Sequence, residues 1–161
     1  AKIKAEEWIY KPGIPSNITK AVSEDFNAID QIQKTWRQTG IKGLSQKIKS
    51  TNEKQHFIDY LPKDITEKEM AAIDAEFNFT QGGNFVVKRQ WFVIAIRQQY
   101  KPAYAAIEQF MIATSRTGSL QTLYKEIIKT PEGKTWAKSI FEKAKSGYHL
   151  TTVQDLQRTL K

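Results

Sequence analysis

The chain offers few groups that could do chemistry. Its only imidazoles are His56 and His149, and it has no cysteine. The two histidines lie far apart and no His-x-x-x-His pair occurs, so a zincin-type metal site has no ligands here. A thiol nucleophile and a cysteine zinc site are excluded outright. No catalytic residue and no metal ligand is therefore expected. His56, within Gln55-His56-Phe57 on a helical stretch, reads as a partly buried structural histidine. His149 follows Gly147-Tyr148 in a turn and reads as bonded to a backbone carbonyl. Glu67, Glu69 and Asp74 share one helix, where capping and solvation account for them. Gly82-Gly83 is a glycine pair without a phosphate-loop frame. The sharpest element is Ser115-Arg116-Thr117-Gly118-Ser119. Arg116 sits in a polar turn just before a helix start, beside backbone N–H groups that have no helical partner. Such a place suits a carboxylate or a phosphate. The same arginine could instead cap the carbonyls of the preceding helix, and the residues alone leave both readings open.

The elements that must position this turn are helices throughout. Apolar residues at Val22, Phe26, Ile29, Ile32 and Trp36 make one stripe over 18–39, with Gly40 as the stop. Ile41, Leu44 and Ile48 anchor a short lysine-rich stretch. Thr51 or Asn52 is expected to cap a helix carrying Phe57, Ile58 and Leu61 up to Pro62. Thr66-x-x-Glu69 is a capping box ahead of Met70, Ile73 and Phe77. After the turn at Gln81-Gly82-Gly83-Asn84, residues 86–97 are rich in β-branched side chains, which suits a buried strand. A single strand among helices would leave its backbone groups without partners, so the segment is predicted helical, and Trp91 within it deeply buried. Pro102 is expected at the first position of a helix running to about Ala113. Leu120, Leu123, Tyr124, Ile127 and Ile128 form the next stripe. Thr130-Pro131-Glu132 starts another helix, ended by Gly147, and Thr151 or Thr152 is expected to cap a last one with Val153, Leu156 and Leu160 inward. The predicted fold class is all-α: an α–α superhelix, an armadillo- or HEAT-like right-handed solenoid of about eight to nine helices, although no repeat of fixed period shows in the sequence.

With 161 residues the chain suits one domain able to bury about 70% of its unfolded surface. Lys and Arg number 25 against 17 Asp and Glu, for a net charge of +8. The lysines are scattered rather than blocked, which reads as a solvated surface more than as a binding tail. No apolar run approaches the roughly 20 residues of a membrane span. The compartment stays undecided, with the cytoplasm slightly favoured. Residues 1–16 lack a core pattern and carry Trp8-Ile9-Tyr10 and Pro12-Gly13-Ile14-Pro15, turn and extended-chain chemistry. They are expected to be a linker into a single helical domain at 17–161.

These same residues carry a resemblance. Trp8-Ile9-Tyr10-Lys11-Pro12-Gly13-Ile14-Pro15 resembles the W-L-Y-x-P-G-L-P linker into the C-terminal helical domain of zinc metallopeptidases of the leukotriene A-4 hydrolase and aminopeptidase B type. Asn78-Phe79, Asn84 and Trp91 resemble that family's Y-N-F…N-S-E-I…R-W stretch. Leu123-Tyr124-Lys125-Glu126 and Tyr148-His149 are similar to its L-F-K-D and M-H-P or Y-H-P. The resemblance implies an α–α superhelix beside a thermolysin-like catalytic domain that holds the zinc, the H-E-x-x-H motif and the G-x-M-E-N loop, none of which is in this sequence. It further implies that the fragment alone is inactive. Its partners would be the parent's own catalytic domain and a peptide substrate with a free C-terminal carboxylate, not nucleic acid or membrane. In the family's G-R-M-K stretch, Arg and Lys hold the substrate carboxylate. Arg116 matches the Arg, Gly118 stands where the Lys would be, and Ser115 where the Gly would be. The family's N-S-E-I reads Asn84-Phe85-Val86-Val87, without the Glu. The implied activity is a plain aminopeptidase rather than an epoxide hydrolase. A second reading, from charge and helices alone, is an α-solenoid module whose basic surface binds an acidic protein or a nucleic acid.

Overall fold

The computed structural model describes residues 5–13 and 24–161. Among the described residues are nine α-helices and no strand: α1 (Ala5–Tyr10), α2 (Glu24–Thr39), α3 (Thr51–Asp59), α4 (Glu67–Phe77), α5 (Phe85–Arg97), α6 (Tyr104–Ala113), α7 (Thr117–Ile127), α8 (Pro131–Ala144) and α9 (Leu150–Thr159). The helix expected from residue 18 is seen from Glu24 onward; its first residues, like Ile14 and Pro15 of the expected linker, lie outside the described residues. Within the stretch expected to be a linker, Ala5–Tyr10 form the short α1, with Ile9 and Tyr10 exposed.

Local signals set most of the starts. At α4 the Thr66 hydroxyl accepts the Glu69 N–H while the Glu69 carboxylate accepts the Thr66 N–H at 2.8 Å. That backbone bond, with the Thr66 hydroxyl and Arg37 behind it, holds Glu69 below the usual carboxylate range. At α5 the Asn84 side chain accepts the N–H groups of Val86 and Val87 at 3.1 Å. The ambiguous segment is thus a helix, and Trp91 is fully buried in it, its indole N–H donating to the Thr80 hydroxyl at 2.9 Å.

Three expected starts shift. The cap of α3 is Ser50, not Thr51 or Asn52, because Glu53 lies three residues after Ser50 and completes a second capping box. Pro102 falls in a 3-10 turn, Lys101–Ala103, and α6 begins after it at Tyr104. The residue preceding α9 is His149, and Thr152, one of the expected caps, is instead fully buried against α7. At the end of α8, Gly147 closes a further 3-10 turn, Lys145–Gly147, rather than the helix itself.

The helices stack in two layers. In one, α3 packs on α5, α5 on α7 and α7 on α9; in the other, α6 packs on α8. Polar bonds fix the register. The Asn84 amide donates to the Thr51 hydroxyl at 2.9 Å, and Gln55 and Gln90 bond further along, one turn on in α3 and between one and two turns on in α5. Thr117 and Thr152 meet at 2.6 Å, and the Gln121 amide donates to Asp155 at 3.2 Å one turn on. Because both partners advance together, α3 runs parallel to α5 and α7 to α9; Arg97 at the end of α5 meets Glu126 near the end of α7, so all four helices have their N-termini along one edge. The partners are 33 to 35 residues apart. The starts of these helices, Thr51, Phe85, Thr117 and Leu150, recur about every 33 residues, although the residues that make the bonds differ between the steps. α2 packs on α3 and closes that end: Arg37 bridges Asp64 and Glu69, at 3.2 and 2.9 Å, and His56 bonds Asp30 at 2.7 Å.

Candidate functional site

The N-terminal edge of this stack carries Arg116. It is the residue before α7, in extended conformation. Its N–H donates to the Thr114 hydroxyl at 3.3 Å, and its carbonyl accepts the N–H groups of Ser119 and Leu120 at 3.0 and 3.1 Å. The next residue, Thr117, is tied to the buried Thr152 of α9. The backbone of the turn is held from both sides.

The side chain of Arg116 is exposed and lies over the ring of Phe85, Cζ 4.4 Å from its centroid. Phe85 is the first residue of α5. Its ring rests on Phe110 of α6 at 4.9 Å, and Phe110 meets the fully buried Phe92 edge-to-face at 5.4 Å. A file of rings thus runs from the core to the guanidinium. Arg37, Arg97 and Arg158 pair with carboxylates. Among the described residues Arg116 pairs with none, nor does its guanidinium bond a carbonyl of α6 as a cap would. Among the described residues its N–H donors are uncommitted, and it belongs to a helix start where the N–H groups of Thr117 and Gly118 have no partner within the helix. Around it the edge exposes Val86, Ile112 and Leu150, from the neighbouring ends of α5, α6 and α9. Gly118, the second residue of α7, does not need a left-handed backbone, and a Cβ there would meet nothing within 4 Å.

The histidines are elsewhere. His56 is bonded to Asp30 and stacked on Phe26 at 4.6 Å, 3° from parallel, so it joins α2 to α3. His149 bonds the Thr151 hydroxyl at 3.0 Å rather than a backbone carbonyl, because the carbonyls near it belong to the start of α9. Among the described residues no group of three or more His, Cys, Asp or Glu could hold a metal ion.

A concavity of about 510 Å³ lies at the opposite edge, and no sequence motif marks it. Its walls are the last residues of α5 and α7 and the first of α6 and α8. Tyr104 and Trp136 stack there at 4.4 Å, 10° from parallel, and burial pushes the Tyr104 hydroxyl up. Beside them is buried Glu126. Burial pushes its carboxyl up, but hydrogen bonds from Arg97 at 2.9 Å and Lys129 at 2.7 Å outweigh that and hold it low. This cleft is already neutralised from within, and Arg116 is not part of it. Phe85, which sequence reasoning also missed as a site residue, had one signal: a large ring directly after a capping asparagine, at the exposed start of a buried helix.

A family model described as "Leukotriene A4 hydrolase, C-terminal" matches residues 49–160. The match takes in α3 to α9, and with them both Arg116 and Phe85. Among curated protein sequences none matches the chain.

Proposed function

The chain belongs to the family of leukotriene A4 hydrolase C-terminal domains, and from that premise we propose that it forms one wall of the substrate cleft of a zinc aminopeptidase, with Arg116 holding the carboxylate of the peptide substrate. The observation that carries this reading is the guanidinium at the start of α7, laid over the Phe85 ring and, among the described residues, paired with no carboxylate. A planar guanidinium presents paired N–H donors that match a carboxylate, and the partial positive end of α7 adds to the same attraction.

The chemistry of bond cleavage belongs to the parent's catalytic domain in this reading. Zinc, when bound there, supplies polarisation of the scissile carbonyl and an activated water. The histidines and carboxylates described above do not fit that metal, so this chain's part is to bind and orient. Residues 1–16 serve as the linker from the catalytic domain. Arg116 fixes one end of a short peptide, which limits where the other end can lie and so favours removal of the N-terminal residue.

Arg116→Ala should lower kcat/KM for short free-acid peptides about ten- to a hundred-fold, the loss of a charge-assisted contact worth about 1.5–3 kcal/mol. Chromogenic amides that lack the carboxylate should be hardly affected, and thermal stability should stay within about 1 kcal/mol. Equal losses on both substrate classes would reduce Arg116 to a support of the turn. Gly118→Lys restores the cation that the family carries there. The open space at Gly118 admits the side chain, and leaving glycine inside a helix gains up to about 1 kcal/mol. The ratio of free-acid to amide turnover should rise several-fold with no loss of melting temperature; a drop in melting temperature would show the turn to be less open than its geometry.

A further inference from the structure

An exposed arginine side chain is costly to immobilise, and a carboxylate that must first order it binds more weakly. Arg116 has no ion-pair partner among the described residues that could order it. What it has is the ring of Phe85, 4.4 Å from Cζ. Stacking uses the π face of the guanidinium and leaves its edge, where all five N–H donors lie, free for a ligand. A carboxylate in the place of Phe85 would order the arginine equally well but would occupy those donors. The ring is itself immobile: it starts α5, is backed by Phe110, and through Phe110 by buried Phe92. The backbone under Arg116 is fixed by Thr114 and by the Thr117–Thr152 bond.

We infer that Phe85 is the positioning residue of the carboxylate site, a rigid ring that holds the Arg116 guanidinium extended with its donor edge open. The inference rests on the carboxylate reading of Arg116 and adds the reason that a single arginine suffices where Gly118 supplies no second cation. It makes Phe85 a determinant of affinity for the free-acid terminus and leaves it no part in bond cleavage.

Two measurements test it. In the 161-residue chain, the δ-methylene protons of Arg116 should resonate upfield by the ring current of Phe85, and Phe85→Leu should return them to ordinary arginine values. An unshifted wild-type signal would overturn the inference. In the full-length enzyme, Phe85→Leu should raise KM for short free-acid peptides about two- to five-fold, the worth of an exposed cation–π contact. It should leave kcat, and turnover of carboxylate-free amides, unchanged. Phe85→Trp, which keeps a π face, should restore the wild-type KM and so separates ring loss from any loosening of α5. Parallel losses on both substrate classes, or no recovery with tryptophan, would make Phe85 a packing residue only. If Arg116→Ala itself fails to discriminate the substrates, the carboxylate reading falls and this inference with it. If Arg116→Ala discriminates and Phe85→Leu is silent, only the inference falls.

Discussion

Trp91→Ala should lower the melting temperature by about 10–20 °C. The indole is fully buried at the centre of α5, between the rings of Phe79 at 5.4 Å and Tyr100 at 6.1 Å. Truncating such an aromatic costs about 3–5 kcal/mol, through lost transfer energy and the cavity left behind. A second cost follows, because the indole N–H is the partner of the Thr80 hydroxyl, itself 5% exposed. An unpaired buried hydroxyl costs about 1–3 kcal/mol more. Against a total stability of about 5–15 kcal/mol, this is a large fraction of what holds the fold, and each kcal/mol moves the midpoint of a chain this size by about 2–4 °C. Trp91→Phe keeps most of the volume but loses the N–H, and should fall between the two. Differential scanning calorimetry of the three proteins checks the order. A cooperative melt of Trp91→Ala within a few degrees of wild type would show that α5 is not the centre of the core.

Gly133→Ala should destabilise by about 3 kcal/mol, and here the sign alone is informative. Alanine is the better helix former by up to about 1 kcal/mol, so at an open helical position the change would stabilise. Gly133 lies in the first turn of α8, its N–H donating to the Thr130 hydroxyl at 3.0 Å. A Cβ there would stand 1.9 Å from the carbonyl oxygen of Ile127 and 2.8 Å from the Thr130 hydroxyl. The first of these is backbone and cannot rotate away. Relief requires the α7–α8 turn to open, which strains the packing and breaks the cap together. Chemical denaturation should give a lower midpoint with an unchanged slope. A higher midpoint would mean that the close approach of α8 to α7 relaxes freely.

The sequence announced its helices through short-range chemistry. Thr66 with Glu69, Asn84 and Thr130-Pro131 mark starts because a capping side chain acts within three residues of itself. The helical reading of residues 86–97 succeeded over their β-branched composition because the surroundings offered a strand no partner. The misplaced caps have the same short range as their cause. Thr152 looks like a cap from its neighbours, but its hydroxyl is spent on Thr117, 35 residues away. That kind of bond leaves no local trace. The same holds for the site. Arg116 stood out because it precedes a helix; the ring of Phe85 after a capping asparagine marks a helix start too, but its contact with Arg116 spans 31 residues, which no spacing rule encodes. The periodicity of about 33 residues was invisible for a related reason: the register of α3 with α5 and of α7 with α9 is kept by Asn–Thr, Gln–Gln, Thr–Thr and Gln–Asp bonds, alike in geometry and unlike in residue type.

That periodicity bears on how the chain reaches its fold. Among the described residues, the hydrogen bonds that join one helix to another connect residues 24 to 35 positions apart, from Gln33 with Phe57 to Thr117 with Thr152. Among the described residues these bonds close loops of similar length, so the entropy of closing each is nearly the same from one helix pair to the next. Low contact order of this kind goes with fast folding. A helix emerging from synthesis finds its partner as soon as the next 35 or so residues have followed it, and α9, which comes after the other described helices, docks on α7. Truncation before Leu150 should therefore uncover one face of α7 and leave the earlier layers to fold as before.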